Sequence, residues 1–168
     1  MRALNVHERS FRCSATQAGA LLDSLASPQD VLWPSKYWPR MRLDRPLGVG
    51  ATGGHGPIRY SVIAYVPGKM ITFRFLSPRG FVGTHWFEVL DNSASGTTLR
   101  HTIDMSLLGA ARLSWPLAIR PLHDALVEDA LTNAQVALGE NPTPKKWSPW
   151  VHLLRKILSP RAPKHGDA

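Results

Sequence analysis

A chain of 168 residues, 43% apolar and 19% charged, has the size and mix of one ordinary globular domain with a full core. Its net charge is +8, but residues 1–140 supply only +3 and residues 141–168 supply +5; with no zinc module, RNA-binding signature or basic helix face in the body, no nucleic-acid partner is expected. Cys13 is the single cysteine, which excludes an intramolecular disulfide and a multi-cysteine metal site.

In chain order, residues 4–13 alternate loosely and suit a first strand. Ser14 is placed to cap a helix over 15–26, with Gln17 at the capping-box position and Ala18, Leu21, Leu22 and Leu25 at helical spacing. Pro28 stops that helix. In 31–43 the aromatics Trp33, Tyr37 and Trp38 cluster between Pro34 and Pro39, which forbid a long helix. A short turn of helix leading into a strand is expected there, the second of two short helices after the first strand. The glycine-rich stretch 46–57 lacks the Gly-Lys-Ser/Thr ending of a phosphate loop and precedes no helix, so it reads as a mobile hairpin loop. Four alternating segments follow, at 58–66, 70–76, 84–90 and 98–107. Turns at Pro67-Gly68, Ser77 to Gly80 and Asp91 to Gly96 separate them, and connections this short make neighbours antiparallel. A long helix is expected from a cap at Ser114, with Trp115, Ile119, Leu122, Leu126, Ala130 and Ala137 on one apolar face. Pro121 should kink it, and Gly139 should end it ahead of Pro142 and Pro144. The reading divides the chain into a ligand-binding domain, 1–140, and a basic tail, 141–168. Within the tail, 147–158 is an amphipathic segment, and residues 159–168 should be disordered.

The segments YVPGKMITFRF (65–75), THWFEV (84–89), GTTLRHT (96–102) and IRPLHDALVEDAL (119–131), in this order, resemble the SRPBCC superfamily. That superfamily includes START lipid-transfer domains, plant pollen-allergen proteins and bacterial polyketide cyclases or dehydratases; the bacterial cyclase-like branch is the most similar. The resemblance covers about residues 4–138 and excludes the tail. It implies an α+β helix-grip fold, in which a curved antiparallel sheet of six or seven strands wraps a long C-terminal helix around an apolar cavity. It implies no shared catalytic motif.

Strand alternation assigns the cavity side. In 84–90, Glu88 should face outward, which turns His85 and Phe87 inward. In 98–107, Arg100 and Asp104 should face solvent, which turns His101 and Ile103 inward. The short connection makes these strands neighbours, so His85 and His101 should be opposite or diagonal, within roughly 5–8 Å at their Cβ atoms. Such a pair could serve as acid and base, with the Tyr60 hydroxyl orienting a carbonyl. The competing reading makes both histidines ordinary core residues. The expected ligand-binding set is Trp38, Tyr60, Phe73, Phe75, His85, Phe87, His101 and Ile103 from the sheet side and Trp115, Ile119, Leu122 and Leu126 from the helix. Two histidines without a third ligand imply no metal, and no cofactor is implied.

On the long helix, Arg120, His123, Asp124, Glu128 and Asp129 read as a solvated face, with His123 near enough to the apolar stripe to reach the cavity rim. Arg59 and Arg74 read as surface arginines and Cys13 as a structural thiol. In the tail, Trp147, Trp150, Val151, Leu154, Ile157 and Leu158 recur at helical spacing beside Lys145, Lys146, Arg155 and Lys156. That face either packs on the domain or a partner, or lies on an anionic membrane through 145–158. Residues 1–11 lack a signal-peptide core and no run of about 18 apolar residues occurs, so a cytoplasmic protein with no spanning segment is expected, in contact with a membrane only if the tail lies on one. The functional expectation is a carrier or sensor of a hydrophobic small molecule, lipid or polyketide-like. The alternative is a cyclase, dehydratase or aromatase acting on a polyketide or acyl substrate. The sequence does not speak to oligomeric state.

Overall fold

The computed structural model describes residues 1–92 and 96–158. The middle of the expected turn at 91–96 and the expected disordered end at 159–168 lie outside the described residues. Seven strands form one antiparallel sheet: β1 (Arg2–Phe11), β2 (Arg42–Leu43), β3 (Thr52–His55), β4 (Ile58–Val66), β5 (Met70–Ser77), β6 (Phe81–Asp91) and β7 (Thr97–Leu107). Their order is β1-β7-β6-β5-β4-β3-β2. The N-terminal strand therefore closes one edge by pairing with the last strand, Phe11 opposite Thr97 and Arg2 opposite Ser106.

Helix α1 (Ala15–Asp23) begins with the expected capping box: Ser14 and Gln17 exchange hydrogen bonds. It stops before the expected end because the Ser24 N–H closes its last turn and Ala26 enters the left-handed region. The second short helix is one turn only, in which the Trp38 N–H bonds the Pro34 carbonyl. The glycine-rich stretch is more ordered than a loop. Its second half is strand β3, where Gly53 and Gly54 pair with β2 and β4. A Cβ on Gly53 would collide with the Arg42 carbonyl, and one on Gly54 with the Ile58 carbonyl. Glycine here permits close strand approach.

The long helix starts earlier than the expected cap, and Ser114 makes no capping bond. It runs 27 residues as α2 (Ala111–Ser114), a π-turn (Trp115–Ile119) and α3 (Arg120–Ala137). The π-turn explains how the helix passes Pro121. A proline removes the hydrogen bond to the carbonyl four residues earlier, here that of Leu117. The carbonyl is not left alone: the Trp150 indole donates to it at 2.7 Å.

Trp150 belongs to α4 (Pro149–Leu158), the amphipathic part of the tail. Val151 is buried in the main core, Leu154 is also buried, and Trp147 packs on the core. The tail face therefore packs on the domain. Both Trp38 and Trp147 donate their indole N–H to Asp129 Oδ2, at 2.7 and 3.0 Å. Asp129 on α3 thus ties the turn at 34–38 and the tail to one helix. No helix among the described residues is long and apolar enough to cross a membrane.

Candidate functional site

The concave face of the sheet and the long helix enclose a cavity of about 640 Å³, within the roughly 300–1,000 Å³ range of small-molecule sites. Each strand contributes alternate residues: Tyr60 from β4, Phe73 and Phe75 from β5, His85 and Phe87 from β6, His101 and Ile103 from β7. The helix contributes Trp115, Ile119, Leu122 and Leu126, and Trp38 comes from the turn before β2. All twelve residues read from the sequence as ligand-binding thus face one volume. Arg59 and Arg74 are exposed on the other side of the sheet.

Register sets the histidine geometry. His85 is opposite Ile103 and His101 is opposite Phe87, so the two histidines are diagonal neighbours. His85 Nδ1 lies 3.3 Å from His101 Nε2, one nitrogen donating and the other accepting. The His85 ring stacks on Phe73 with centroids 4.8 Å apart and meets Tyr60 edge-on at 5.0 Å. Five buried side-chain polar atoms have no hydrogen-bond partner among the described residues: Asn5 Oδ1, His123 Nδ1 and, in this cluster, His85 Nε2, His101 Nδ1 and the Tyr60 hydroxyl. Burial pushes the pKa of both histidines well below 6.5, with smaller contributions from neighbouring histidines. Burial pushes Tyr60 upward. At neutral pH all three are uncharged, which suits them to hydrogen bonding rather than ion pairing.

Two further imidazoles enter the cavity. His123 lines it from α3, with its pKa lowered by burial. His55 lines it from β3, where burial drops its pKa to about 3. The sequence placed His123 near the rim and missed His55, because a four-residue strand made of Thr, two Gly and His has no alternation to read.

The charged helix face is only partly solvated: Arg120 is exposed, but Asp124 and Glu128 meet β1. Behind His123, the inward side of β1 presents Asn5, His7 and Arg9 to it. Asp124 Oδ1 accepts from Asn5 Nδ2 at 2.9 Å and lies 3.0 Å from His7 Nε2. Glu128 meets His7 Nδ1 at 2.8 Å, Arg9 at 2.9 Å and Lys145 at 2.8 Å. Burial opposes protonation of His7, but the two carboxylates outweigh it and hold its pKa above the ordinary value. His7, His123 and Asp124 bring three potential metal ligands within 4.8 Å of one another. This set differs from the His85–His101 pair considered from the sequence. In it both His7 nitrogens already face carboxylates, so a protonated His7 balances their charge without a metal.

The opening is marked by lining residues that remain exposed. Tyr37 is 51% and Leu158 61% accessible, and Gly56 and Pro57 are exposed beside them. Arg155 of α4 joins this rim. The sequence treated Arg155 only as a tail cation; its position between Leu154 and Leu158 on one helical face was the available signal.

No family model matches the chain, and no curated protein matches it. Solved structures do. Norcoclaurine synthase from Thalictrum flavum, as a point mutant with a transition-state analogue, superposes with a TM-score of 0.61 at 15% identity, over 83% of this chain and 96% of that one. CalU16 from Micromonospora echinospora gives 0.58 at 10% identity, over 94% and 91%. This chain has the helix-grip fold. The di-domain ARO/CYC StfQ from the steffimycin biosynthetic pathway gives 0.58 at 12% identity, covering 80% of this chain and 50% of StfQ. Identities this low establish the shared architecture alone and leave the chemistry to the residues of the cavity.

Proposed function

We propose that this SRPBCC-fold protein binds a hydrophobic small molecule that carries carbonyl or hydroxyl oxygens, of the polyketide-like rather than the purely hydrocarbon kind. One observation carries the reading: His85, His101 and Tyr60, whose Nε2, Nδ1 and hydroxyl have no hydrogen-bond partner among the described residues, line a largely apolar cavity. A buried polar group without a partner costs about 1–3 kcal/mol. A ligand oxygen within reach of these atoms recovers that cost, whereas an alkyl chain does not. Native mass spectrometry of the purified protein tests this directly. An oxygenated aromatic or polyketide-like compound is expected to co-purify; a saturated hydrocarbon lipid in its place would overturn the polar-anchor argument.

The convergence of His85 and His101 on the same volume favours the enzymatic reading over a passive carrier. With His85 Nδ1–H donating to His101, His85 Nε2 carries a lone pair and can act as a base toward a ligand that reaches it. In a dehydration, it would take the proton next to a carbonyl and return it to the departing hydroxide, which leaves as water. Tyr60 would donate to the carbonyl oxygen as negative charge develops there. A β-hydroxy ketone with an aromatic body is a suitable probe. Turnover that disappears in His85→Phe while probe binding survives would support the reaction; equal turnover in both proteins would reduce the protein to a carrier.

A further inference from the structure

We infer that α4 supplies an anion site at the mouth of the cavity, in which Arg155 holds a carboxylate or phosphate group of the bound molecule. This rests on the cavity being the ligand site and deepens that reading: the molecule also carries an acid group, held at the rim, while its oxygen-bearing apolar body lies inside.

The geometry fixes the guanidinium before any ligand arrives. Its central carbon lies 4.0 Å from the Trp147 ring and 4.7 Å from the Trp38 ring. A planar cation held against aromatic faces loses little rotamer freedom on binding an anion. One Nη2–H is taken by the Tyr37 carbonyl. No carboxylate lies within 4.0 Å of Arg155 among the described residues, although other cavity-distant arginines such as Arg59 and Arg74 also lack one. Asp129 is the acid whose charge Arg155 feels, but its Oδ2 is engaged by both indoles. The chain thus places a ring-held cation at the edge of a largely apolar cavity, and the nearby acid is engaged by the tryptophans. Guanidinium donors match the two oxygens of a carboxylate or a phosphate equally well. Partial burial also lowers the Arg155 pKa, as expected for a cation that lacks a close counter-charge.

A purely structural role is the competing explanation: Arg155 would only staple α4 to Trp38. The two differ in what they do to neutral ligands. Full-length protein is loaded with Nile red, a neutral dye, and displaced at low salt by decanol, decanoate or decyl phosphate. In the wild type, at least one of the two acids should displace the dye at a concentration tenfold or more below that of decanol. Which acid is tighter tells carboxylate from phosphate. Arg155→Met should bring the acids to the level of decanol and leave decanol within twofold, and Arg155→Lys should keep part of the preference. Equal displacement by acids and alcohol in the wild type would overturn the anion site and leave the cavity reading standing. Parallel loss of acids and decanol in Arg155→Met, with the Arg155→Lys protein like wild type for decanol alone, would make Arg155 a staple. Absence of dye binding in the wild type would remove the cavity reading and the anion site with it.

Discussion

Replacing both cavity histidines by phenylalanine should make the protein more stable. In the single variant His85→Phe, the unpartnered Nε2 disappears, but His101 Nε2 loses its one partner among the described residues, at 3.3 Å. These changes oppose one another at about 1–3 kcal/mol each, so the single variant should be near neutral. In His85→Phe/His101→Phe, both unpartnered nitrogens go and no new one is created. The loss is a single hydrogen bond, about 0.5–1.5 kcal/mol net. The added ring volume faces an open cavity rather than a filled core, so overpacking is relieved. Allowing for water at the rim to satisfy part of the polar demand, the double variant should gain about 2 kcal/mol. For a domain near this size that raises Tm by about 4–8 °C. Urea unfolding followed by circular dichroism measures the gain, and the two singles with the double complete a cycle whose coupling term reports the histidine–histidine bond. Ligand binding should fall at the same time, as expected where polar groups are kept at a cost in stability. A double variant less stable than wild type by more than about 1 kcal/mol would refute the reasoning, because it would mean that the imidazoles are satisfied core residues.

The pH dependence follows from the same burial. His85, His101 and His123 are held below 6.5 and His55 near 3 in the folded chain, while each titrates near 6.5 when unfolded. The unfolded chain therefore binds the extra protons, and stability should fall as pH drops below about 6.5, by up to about 1.4 kcal/mol per unit for each histidine. His7 runs the other way, since its raised pKa gives stability that is present below 6.5 and lost as pH rises through the folded value. His55→Phe should flatten the acid limb between pH 4 and 6 by about 1.4 kcal/mol per unit; an unchanged slope would mean that His55 takes up its proton without unfolding. Leu126→Trp should fill the cavity from the helix side and weaken Nile red binding at least tenfold, and unchanged binding in a folded variant would place the ligand elsewhere. A chain ending at Gly139 exposes the surface that Trp147, Val151 and Leu154 cover, so it should melt at lower temperature. Sedimentation with anionic vesicles at low salt checks the membrane expectation for 145–158: equal recovery of full-length and shortened chains would end it.

Strands β4 to β7 were legible because their inward residues are apolar or aromatic and their connections are short; there the period-two pattern and the pairing coincide. The same logic oriented His85 and His101 correctly from Glu88, Arg100 and Asp104 alone. β1 gave only a loose pattern for a physical reason. Its inward side presents Asn5, His7 and Arg9 to carboxylates on α3, so the usual contrast between apolar inside and polar outside vanishes. The acidic side of α3 misled in the mirror sense, since its partners lie more than a hundred residues away in sequence. Pro121 announced a disturbance but not its form: the π-turn depends on where the freed carbonyl can find a donor, and that donor is in the tail.

That donor makes the rim of the cavity separable from its walls. The Leu117 carbonyl lies in a half-open position, with Leu117 itself 59% and Trp150 46% accessible. Water can replace the indole there at a net loss of only about 1 kcal/mol. Inside the sheet, by contrast, β6 and β7 are paired along eleven residues each, with most inward side chains buried. The molecule therefore has two tiers of local opening free energy. Amide exchange in 150–158 should be set by detachment of α4 alone, and exchange in β6 and β7 by global unfolding. A ligand with one end against Arg155 would slow the first class and leave the second almost untouched, so proton exchange at the tail would record occupancy of a cavity that the tail only borders.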